Sequence, residues 1–357
     1  MSASTAESAA TGPILGSVTA GGAPPVRRAL AGAALATLVA LALPACTADS
    51  PAGPAGSPSA APAASPSAAA GWPVELDSSA IALAATPSGL IAVTPGSSRF
   101  PPQVHRFDPT GARVARQAAV GMPNGLAIAA DGAAWVPAVR HPDMQTGTGV
   151  PVFDPTSLRP RGEIDIGTDP FSVAFPPGQA WIGARGRIYV VDPVTRAPRR
   201  SLPLPGTAYQ LVAAPAAGTV VVVLSDGLVA LDARTGRLLA RRAVASDGTI
   251  AAAVAGDALW VAWPAGGATV LRRFDPRTLR RGPAGPGFGA AGVAVAAGGR
   301  VLWVADRASG TVRCVDPASG AVRATRPLRN TGAVAADERW VYAADGVLVR
   351  RVQAGCG

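Results

Sequence analysis

From residue 72 onward, short apolar runs alternate with turn residues, and this alternation repeats about every 40 residues. One phrase, an Asp usually followed by Pro, marks each repeat; its residues are Asp108, Asp154, Asp192, Asp232, Asp275 and Asp316. A second phrase, a Trp followed by Val or Ile, runs in step with the first; its residues are Trp135, Trp181, Trp260, Trp303 and Trp340. The regular spacing predicts stacked units that each form one supersecondary element.

Each unit contains four segments with the pattern of β-strands. In one unit these are an Ala-rich alternating segment at 292–296, apolar segments at 301–306 and 311–315, and an Arg-bearing segment at 321–325. Four short strands in about 40 residues are typical of a β-propeller blade. Ala suits crowded innermost strands, Arg protects outermost strands from pairing with other chains, and Asp-Pro suits a tight turn in which the carboxylate accepts backbone N–H groups.

The repeats add up to six complete units and a remainder at 332–353, which supplies three strands. The missing fourth strand is expected from Trp72–Asp77, so that the two ends of the domain pair and close the ring. Division of residues 72–357 by seven gives about 41 residues per unit. We therefore predict an all-β fold, a monomeric seven-bladed β-propeller of four-stranded antiparallel blades.

The first 71 residues have the pattern of an export signal and a linker. Arg27 and Arg28 precede an uncharged apolar run at 29–43, which predicts a signal segment at 1–45. The sequence Leu43–Cys46 resembles the bacterial lipobox and predicts lipidation of Cys46; an uncleaved anchor or ordinary secretion are the alternatives. Residues 46–71, rich in Ala, Pro, Ser and Gly, predict a disordered linker. We therefore expect a membrane location with the propeller outside the cytoplasm.

Two phrases, Leu302–Asp306 and Val315–Val322, resemble those of the YVTN/NHL-type bacterial propellers. That group includes the virginiamycin B lyase-like and quinoprotein-like propellers, and the resemblance covers nearly all of residues 72–357. It implies the propeller fold. Lactonases and lyases of this group build their sites from His, Glu or Asn near the axis, often with a divalent cation. Because Glu is scarce here and no His falls in an innermost segment, that pattern does not carry over.

Composition narrows the function classes. The chain has 42 Gly, 35 Pro and 15 % charged residues, which argues against a coiled coil or a helical bundle. All 32 basic residues are Arg, and the chain from Cys46 onward has 30 Arg against 21 acidic residues, a net charge of +9. Such a charge attracts polyanions. The sequence pattern spreads the Arg residues around the rim without stacking aromatics, so we expect a solvated edge and no nucleic-acid partner.

Few residues are candidates for catalysis, metal binding or disulfide formation. The repeated Trp and Asp residues are interpreted as core and turn positions. His105 is expected to be exposed, whereas His141, near Asp143 in an irregular stretch, is a candidate general base or ligand. Cys314 and Cys356 form an even pair outside the membrane, which predicts a disulfide, with two free thiols as the alternative. No metal or cofactor is predicted.

A ligand is expected at one mouth of the axial channel, where the loops leading into the first strands gather. Those loops are polar and varied while the strands repeat, as is typical of functional loops on a rigid scaffold. The candidate ligand-binding residues are Asn124, Asp169, Tyr209, Asp247 and Asn330. We predict a scaffold without catalysis that binds a ligand or a cell-envelope protein. The alternatives are a divalent-cation-dependent lyase or lactonase at the same mouth and, less favoured, a quinone-cofactor dehydrogenase.

Overall fold

The structure, a computed structural model, describes residues 71–96, 100–119, 121–139, 149–246, 248, 250–289, 293–298, 301–329 and 332–356. Cys46, His141, Asp143, Asp247 and Asn330 lie outside these ranges. The regular elements of the described chain are antiparallel β-strands and one 3-10 turn at Pro215–Ala217. None of its residues form a helix long and apolar enough to cross a membrane.

Seven sheets form the blades of a β-propeller. The first strand in the chain is β1 (Val74–Glu75). Blade 1 comprises β2 (Ala82–Thr86), β3 (Gly89–Thr94), β4 (Gln103–Phe107) and β5 (Arg113–Ala118). Blade 2 comprises β6 (Met122–Pro123), β7 (Ala127–Ile128), β8 (Ala134–Trp135), β9 (Ala138–Val139), β10 (Gly149–Phe153) and β11 (Pro160–Asp165). Blade 3 comprises β12 (Pro170–Ala174), β13 (Ala180–Val191) and β14 (Pro198–Thr207).

The remaining blades follow the same order from the axis outward. Blade 4 comprises β15 (Gln210–Ala214), β16 (Thr219–Val223), β17 (Gly227–Asp232) and β18 (Leu238–Ala243). Blade 5 comprises β19 (Ala251–Ala255), β20 (Ala258–Ala265), β21 (Ala268–Phe274) and β22 (Arg281–Ala284). Blade 6 comprises β23 (Val293–Gly298), β24 (Val301–Asp306), β25 (Thr311–Val315) and β26 (Val322–Pro327). Blade 7 comprises β27 (Val334–Ala336), β28 (Trp340–Asp345), β29 (Leu348–Gln353) and β1.

Blades 2 and 3 depart from the four-strand pattern in detail. In blade 2 the first and second strands are each interrupted, so that β6 pairs with β9 and β7 pairs with β8. In blade 3 the second and third strands run on as β13, whose first part pairs with β12 and whose second part pairs with β14. Gly186, at φ 70°, lies within this segment, where a left-handed backbone permits a tight reversal. The blades keep their places in the ring despite these differences.

The N-terminal strand completes blade 7, as the sequence predicts. Val74 and Glu75 of β1 pair antiparallel with Val349 and Leu348 of β29. The innermost strands β27 and β2 of blades 7 and 1 are also in contact. The ring is therefore closed by one sheet built from both ends of the domain.

Apolar cores lie between neighbouring blades. Among the described residues, seven clusters of buried side chains occur, and each is shared by two adjacent blades. Four of the repeated tryptophans are fully buried in these cores, namely Trp135, Trp181, Trp260 and Trp303. Trp340 is partly buried against the cluster between blades 7 and 1. The interpretation of the Trp series as a core position is therefore confirmed.

Arginine side chains link the outer parts of adjacent blades through hydrogen bonds. Their guanidinium groups donate hydrogen bonds to backbone carbonyl oxygens of the neighbouring blade. Examples are Arg200 to Arg234 at 2.7 Å, Arg242 to Leu279 at 2.6 Å and Arg277 to Ala217 at 3.2 Å. A guanidinium offers five donors in a fixed plane, so it can reach a carbonyl and keep other donors in water. These arginines therefore support the fold in addition to protecting sheet edges.

Candidate functional site

The alternation of strand direction divides the loops between two faces of the ring. The loops between second and third strands, together with those that enter each first strand, lie on one face, which we call the loop face. The turns between first and second strands and between third and fourth strands lie on the opposite face, which we call the turn face. Of the predicted ligand-binding residues, Asn124, Asp169 and Tyr209 belong to the loop face.

Polar side chains at the start of the first strands join neighbouring blades. Asn124 Nδ2 donates to the Pro170 carbonyl at 3.3 Å, linking blades 2 and 3. Ser172 Oγ donates to the Ala208 carbonyl at 3.0 Å. The Gln210 side chain both donates to and accepts from the backbone of Ala252, at 2.8 and 2.9 Å, linking blades 4 and 5. These bonds hold the walls of the axial mouth in fixed register.

Apolar side chains remain exposed on the loop face. Tyr209 is 41 % exposed and stands edge-on to Phe171, with ring centroids 5.8 Å apart. Met122 and Phe100 are 40 % and 41 % exposed. Aromatic and Met side chains are enriched in protein interfaces because they bury a large area at a low cost in conformational entropy. The loop face of blades 1 to 4 thus presents groups suited to contact with a partner.

The five candidate ligand-binding residues differ in solvent exposure, and the structure describes three of them. Tyr209 is open to solvent, Asp169 is half-buried, and Asn124 is half-buried with its amide on Pro170. Asp247 and Asn330 lie outside the described residues. Phe100 and Phe171 are not among the residues predicted from the sequence, because neither belongs to the repeated phrases and their exposure depends on how the blades stack.

The expectation that His105 is exposed is wrong. His105 lies within β4, its exposed fraction is 0 %, and neither ring nitrogen has a hydrogen-bond partner in the structure. Burial, followed by the charge of Arg113, lowers its pKa from 6.5 to about 4, and Asp77 opposes this shift. The imidazole is therefore neutral at pH 7 and packs near Phe107, with ring centroids 6.3 Å apart. His141, the other histidine, lies outside the described residues.

The cysteine pair is bonded in the structure. Cys314 in β25 and Cys356 after β29 form a disulfide with a Cα–Cα distance of 5.9 Å. The bond links blade 6 to the C-terminal end of blade 7. Within the described residues, no group of three or more His, Cys, Asp or Glu side chains is arranged to hold a metal ion.

On the turn face, the repeated aspartates bind backbone amides, as predicted. Asp316 Oδ1 accepts from the N–H groups of Ala318 and Ser319 at 3.0 and 2.8 Å, and from Ser319 Oγ at 2.9 Å. Its other oxygen accepts from Arg323 in β26 at 2.8 Å. These bonds, led by that from the Ser319 N–H, lower the pKa of Asp316. The equivalent aspartates in the other blades accept the same kind of bonds.

Blade 5 carries a cleft on this face. Its volume is about 160 Å³, and it is lined by Asp257, Arg273, Phe274, Asp275, Arg280, Arg281 and Gly282. In blades 2, 3 and 6 an arginine seven residues after the turn aspartate pairs with it, as Arg161 does with Asp154 at 2.7 Å. Blade 5 has Gly282 at that position. The missing side chain accounts for the space beside Asp275.

Comparisons with known proteins identify the fold. No family model and no curated protein matches the chain. Hydrazine synthase of Kuenenia stuttgartiensis is similar, with 17 % identity over 77 % of this chain and 95 % of that chain, at a TM-score of 0.64. The computationally designed Ika8 protein matches with 15 % identity over 78 % and 98 %, at 0.56. BamB from Moraxella catarrhalis matches with 15 % identity over 74 % and 81 %, at 0.50. Identities this low establish the β-propeller fold alone.

Proposed function

We propose that this chain is an extracytoplasmic lipoprotein, anchored through Cys46, whose propeller binds a ligand or protein partner on its loop face without catalysis. The observation that carries the proposal is the exposure of Tyr209, Met122 and Phe100 on one face. The repeated apolar positions of the strands are buried between blades, whereas these three side chains keep about two-fifths of their surface exposed. Exposed aromatic and Met residues on a rigid frame are typical of binding surfaces.

The rigidity of the frame supports binding. The side-chain bonds of Asn124, Ser172 and Gln210 hold the first strands of successive blades together below the loops. Phe171 limits the orientations of the Tyr209 ring through its edge-on contact. A preorganised surface binds with a smaller loss of side-chain freedom, so more of the contact energy is kept as affinity.

Site-specific photo-crosslinking in cells tests the loop face. A photoreactive amino acid replaces Tyr209 in one variant and Glu338, an exposed turn-face residue of blade 7, in the matched control. We expect one adduct of defined mass from position 209, lost when Met122→Asp is added, and no such adduct from position 338. Equal adducts from both positions, or none from position 209, would contradict the proposed binding face.

The lipid anchor is tested separately. Cells supplied with a clickable fatty acid are expected to label the wild-type chain and to leave the Cys46→Ser variant unlabelled. Mass spectrometry of the mature N-terminus identifies the modified residue. An unmodified N-terminus at another position would instead support ordinary secretion, and a retained residue 1–45 segment would support an uncleaved anchor.

Cation titration tests the enzymatic alternative. A cation that binds only the folded protein stabilises it by about 2.7 kcal/mol at 100 times its Kd. We expect the Tm of the chelator-treated protein to be unchanged by Ca²⁺, Mg²⁺, Mn²⁺ or Zn²⁺. A shift specific to one of them would favour the divalent-cation-dependent lyase or lactonase, and lactone and lyase substrates would then be assayed.

A further inference from the structure

Positive charge is concentrated on one side of the ring. Residues 170–284, which form blades 3 to 5, contain 14 Arg and six Asp, a net charge of +8. The other parts of residues 72–357 contain 16 Arg and 14 Asp or Glu, a net charge of +2. The 14 Arg are close to an even share of the 30 in residues 72–357, as the sequence pattern predicts, so the excess charge comes from the small number of carboxylates in blades 3 to 5. We call blades 3 to 5 the basic sector.

The contacts within the basic sector leave much of this charge uncompensated. Arg200, Arg242 and Arg277 donate to neutral backbone carbonyls, so each keeps its full positive charge. Ion pairs with carboxylates involve Arg199, Arg241 and Arg273. Ten of the 14 arginines are exposed, namely Arg185, Arg187, Arg199, Arg200, Arg234, Arg237, Arg241, Arg277, Arg280 and Arg281.

Aliphatic side chains are exposed among these arginines. Val194, in the turn that precedes β14, is 86 % exposed, and Leu238, at the start of β18, is 56 % exposed. Both lie at the edge where the turn face meets the outer strands. A surface that combines Arg with exposed aliphatic groups is suited to the boundary between lipid headgroups and acyl chains.

The cleft of blade 5 adds a recess to the same edge. Three arginines line it, Arg273, Arg280 and Arg281. Of its two carboxylates, Asp257 pairs with Arg273 at 3.3 Å, and Asp275 Oδ1 accepts from the Thr278 N–H at 2.7 Å. The lining keeps a net positive charge, so a phosphate group can enter where Gly282 leaves space.

We propose that the turn-face edge of the basic sector docks on the anionic surface of a lipid bilayer. A turn-face edge that rests on the bilayer leaves the loop face turned away from the membrane. The proposal rests on the charge and the aliphatic groups of this edge and does not require the proposed anchor.

A bilayer fits this surface better than a nucleic acid strand. Proteins that bind single strands use a positively charged groove in which bases stack on aromatic side chains. The exposed apolar side chains of this edge are Val194 and Leu238, neither of which is aromatic. Tyr209 lies on the loop face.

Vesicle flotation of the chain from residue 46 onward with Cys46→Ser tests the proposal, because this chain carries neither a lipid anchor nor the apolar run at 29–43. We expect binding to phosphatidylglycerol/phosphatidylcholine vesicles, none to phosphatidylcholine vesicles, and release by salt. A test variant carries Arg237→Gln, Arg280→Gln and Arg281→Gln. The matched control carries Arg159→Gln, Arg329→Gln and Arg339→Gln, which are exposed arginines of blades 2, 6 and 7. Circular dichroism and Tm verify that both variants fold.

Each basic residue near an anionic membrane raises the binding constant about fivefold. The three substitutions of the test variant should therefore weaken vesicle binding by about a hundredfold, and those of the control by less than tenfold. Equal losses would show that only net charge matters and would overturn the assignment of the edge. Absence of vesicle binding at low salt, or binding to duplex DNA or polyphosphate in preference to vesicles, would overturn the lipid surface. The loop-face crosslink does not depend on these outcomes, so the two proposals fail separately.

Discussion

Six aspartates occupy one turn position in successive blades, and each ionised carboxylate accepts hydrogen bonds from the turn that follows it. The bonds lower the pKa of each below its ordinary value of 3.8; for Asp192, bonds led by the Thr195 N–H bring it to about 2. Folding therefore favours the ionised form. This stability is present above the pKa of the unfolded chain and is lost as pH falls through the folded pKa.

Asp316→Asn tests this account at one turn. The amide oxygen still accepts backbone hydrogen bonds, but the charge that pairs with Arg323 is gone. We expect the variant to be less stable than wild type at pH 6, with the difference shrinking as pH is lowered below the ordinary Asp pKa. Urea unfolding across this pH range measures it. Asp257→Asn, at an 83 % exposed carboxylate on the same face, is the control. A constant difference between Asp316→Asn and wild type would exclude a charge effect.

His105 predicts a second, separate pH window. Its pKa is 6.5 in the unfolded chain and about 4 in the fold, so the unfolded chain binds more protons between these values. Stability is full above pH 6.5 and should fall by about 3 kcal/mol as pH drops to 4. His105→Leu should abolish this loss and cost little at pH 7, because the buried ring nitrogens have no partners to lose.

His141→Gln is the matched control for His105→Leu, since it removes the other histidine. It should keep the wild-type decline between pH 6.5 and 4. If the stability of both variants fell with pH as that of wild type does, protonation of the His105 ring would not be the cause of the fall, and the burial of His105 would not control the acid stability of the fold.

At the level of strands, periodicity predicted the blades but not their local exceptions. Alternation and turn residues determine where a strand can form, so the four-strand units and the pairing of β1 with β29 followed from the sequence. The continuous segment of blade 3 and the burial of His105 depend on how sheets stack. Stacking also determines which arginine reaches a neighbouring carbonyl, so neither the rim bonds nor the contact of Phe171 with Tyr209 was predictable.

The disulfide joins two such elements, β25 and the segment after β29. It closes a loop of 42 residues, for which the chain-entropy model gives about 4 kcal/mol. We expect the double variant Cys314→Ala/Cys356→Ala to lose about 2–4 kcal/mol in denaturant unfolding. Reductant should lower the stability of wild type toward that of the variant and leave the variant unchanged. Equal stability of both proteins without reductant would mean that the bond adds nothing to the fold.

At the level of the whole ring, stability depends on the seam between blades 7 and 1. The β1 strand supplies two paired residues, and Trp72 beside it packs on Tyr342 and Phe107, with centroids 5.3 and 6.4 Å away. Arg351 lies over the Trp72 ring at 4.8 Å and donates to the Pro109 carbonyl at 2.6 Å. Without β1, β29 becomes an open edge, and the core between blades 7 and 1 is exposed to solvent.

Two truncations measure how much the ring depends on this closure. A chain that begins at Gly71 retains β1 and should unfold in one cooperative transition at the Tm of the longer chain, because the contacts of the seam are unchanged. A chain that begins at Ser79 loses β1, Trp72 and the Arg116 partner Asp77, and should unfold at lower temperature and associate with itself through the exposed edge of β29. Trp72→Ala in the longer chain should be intermediate, at a cost of about 2–4 kcal/mol. Calorimetry and light scattering report both properties. If the Ser79 chain stayed monomeric with an unchanged Tm, the other six junctions between blades would be sufficient to hold the ring, and the N-terminal strand would not contribute to its stability.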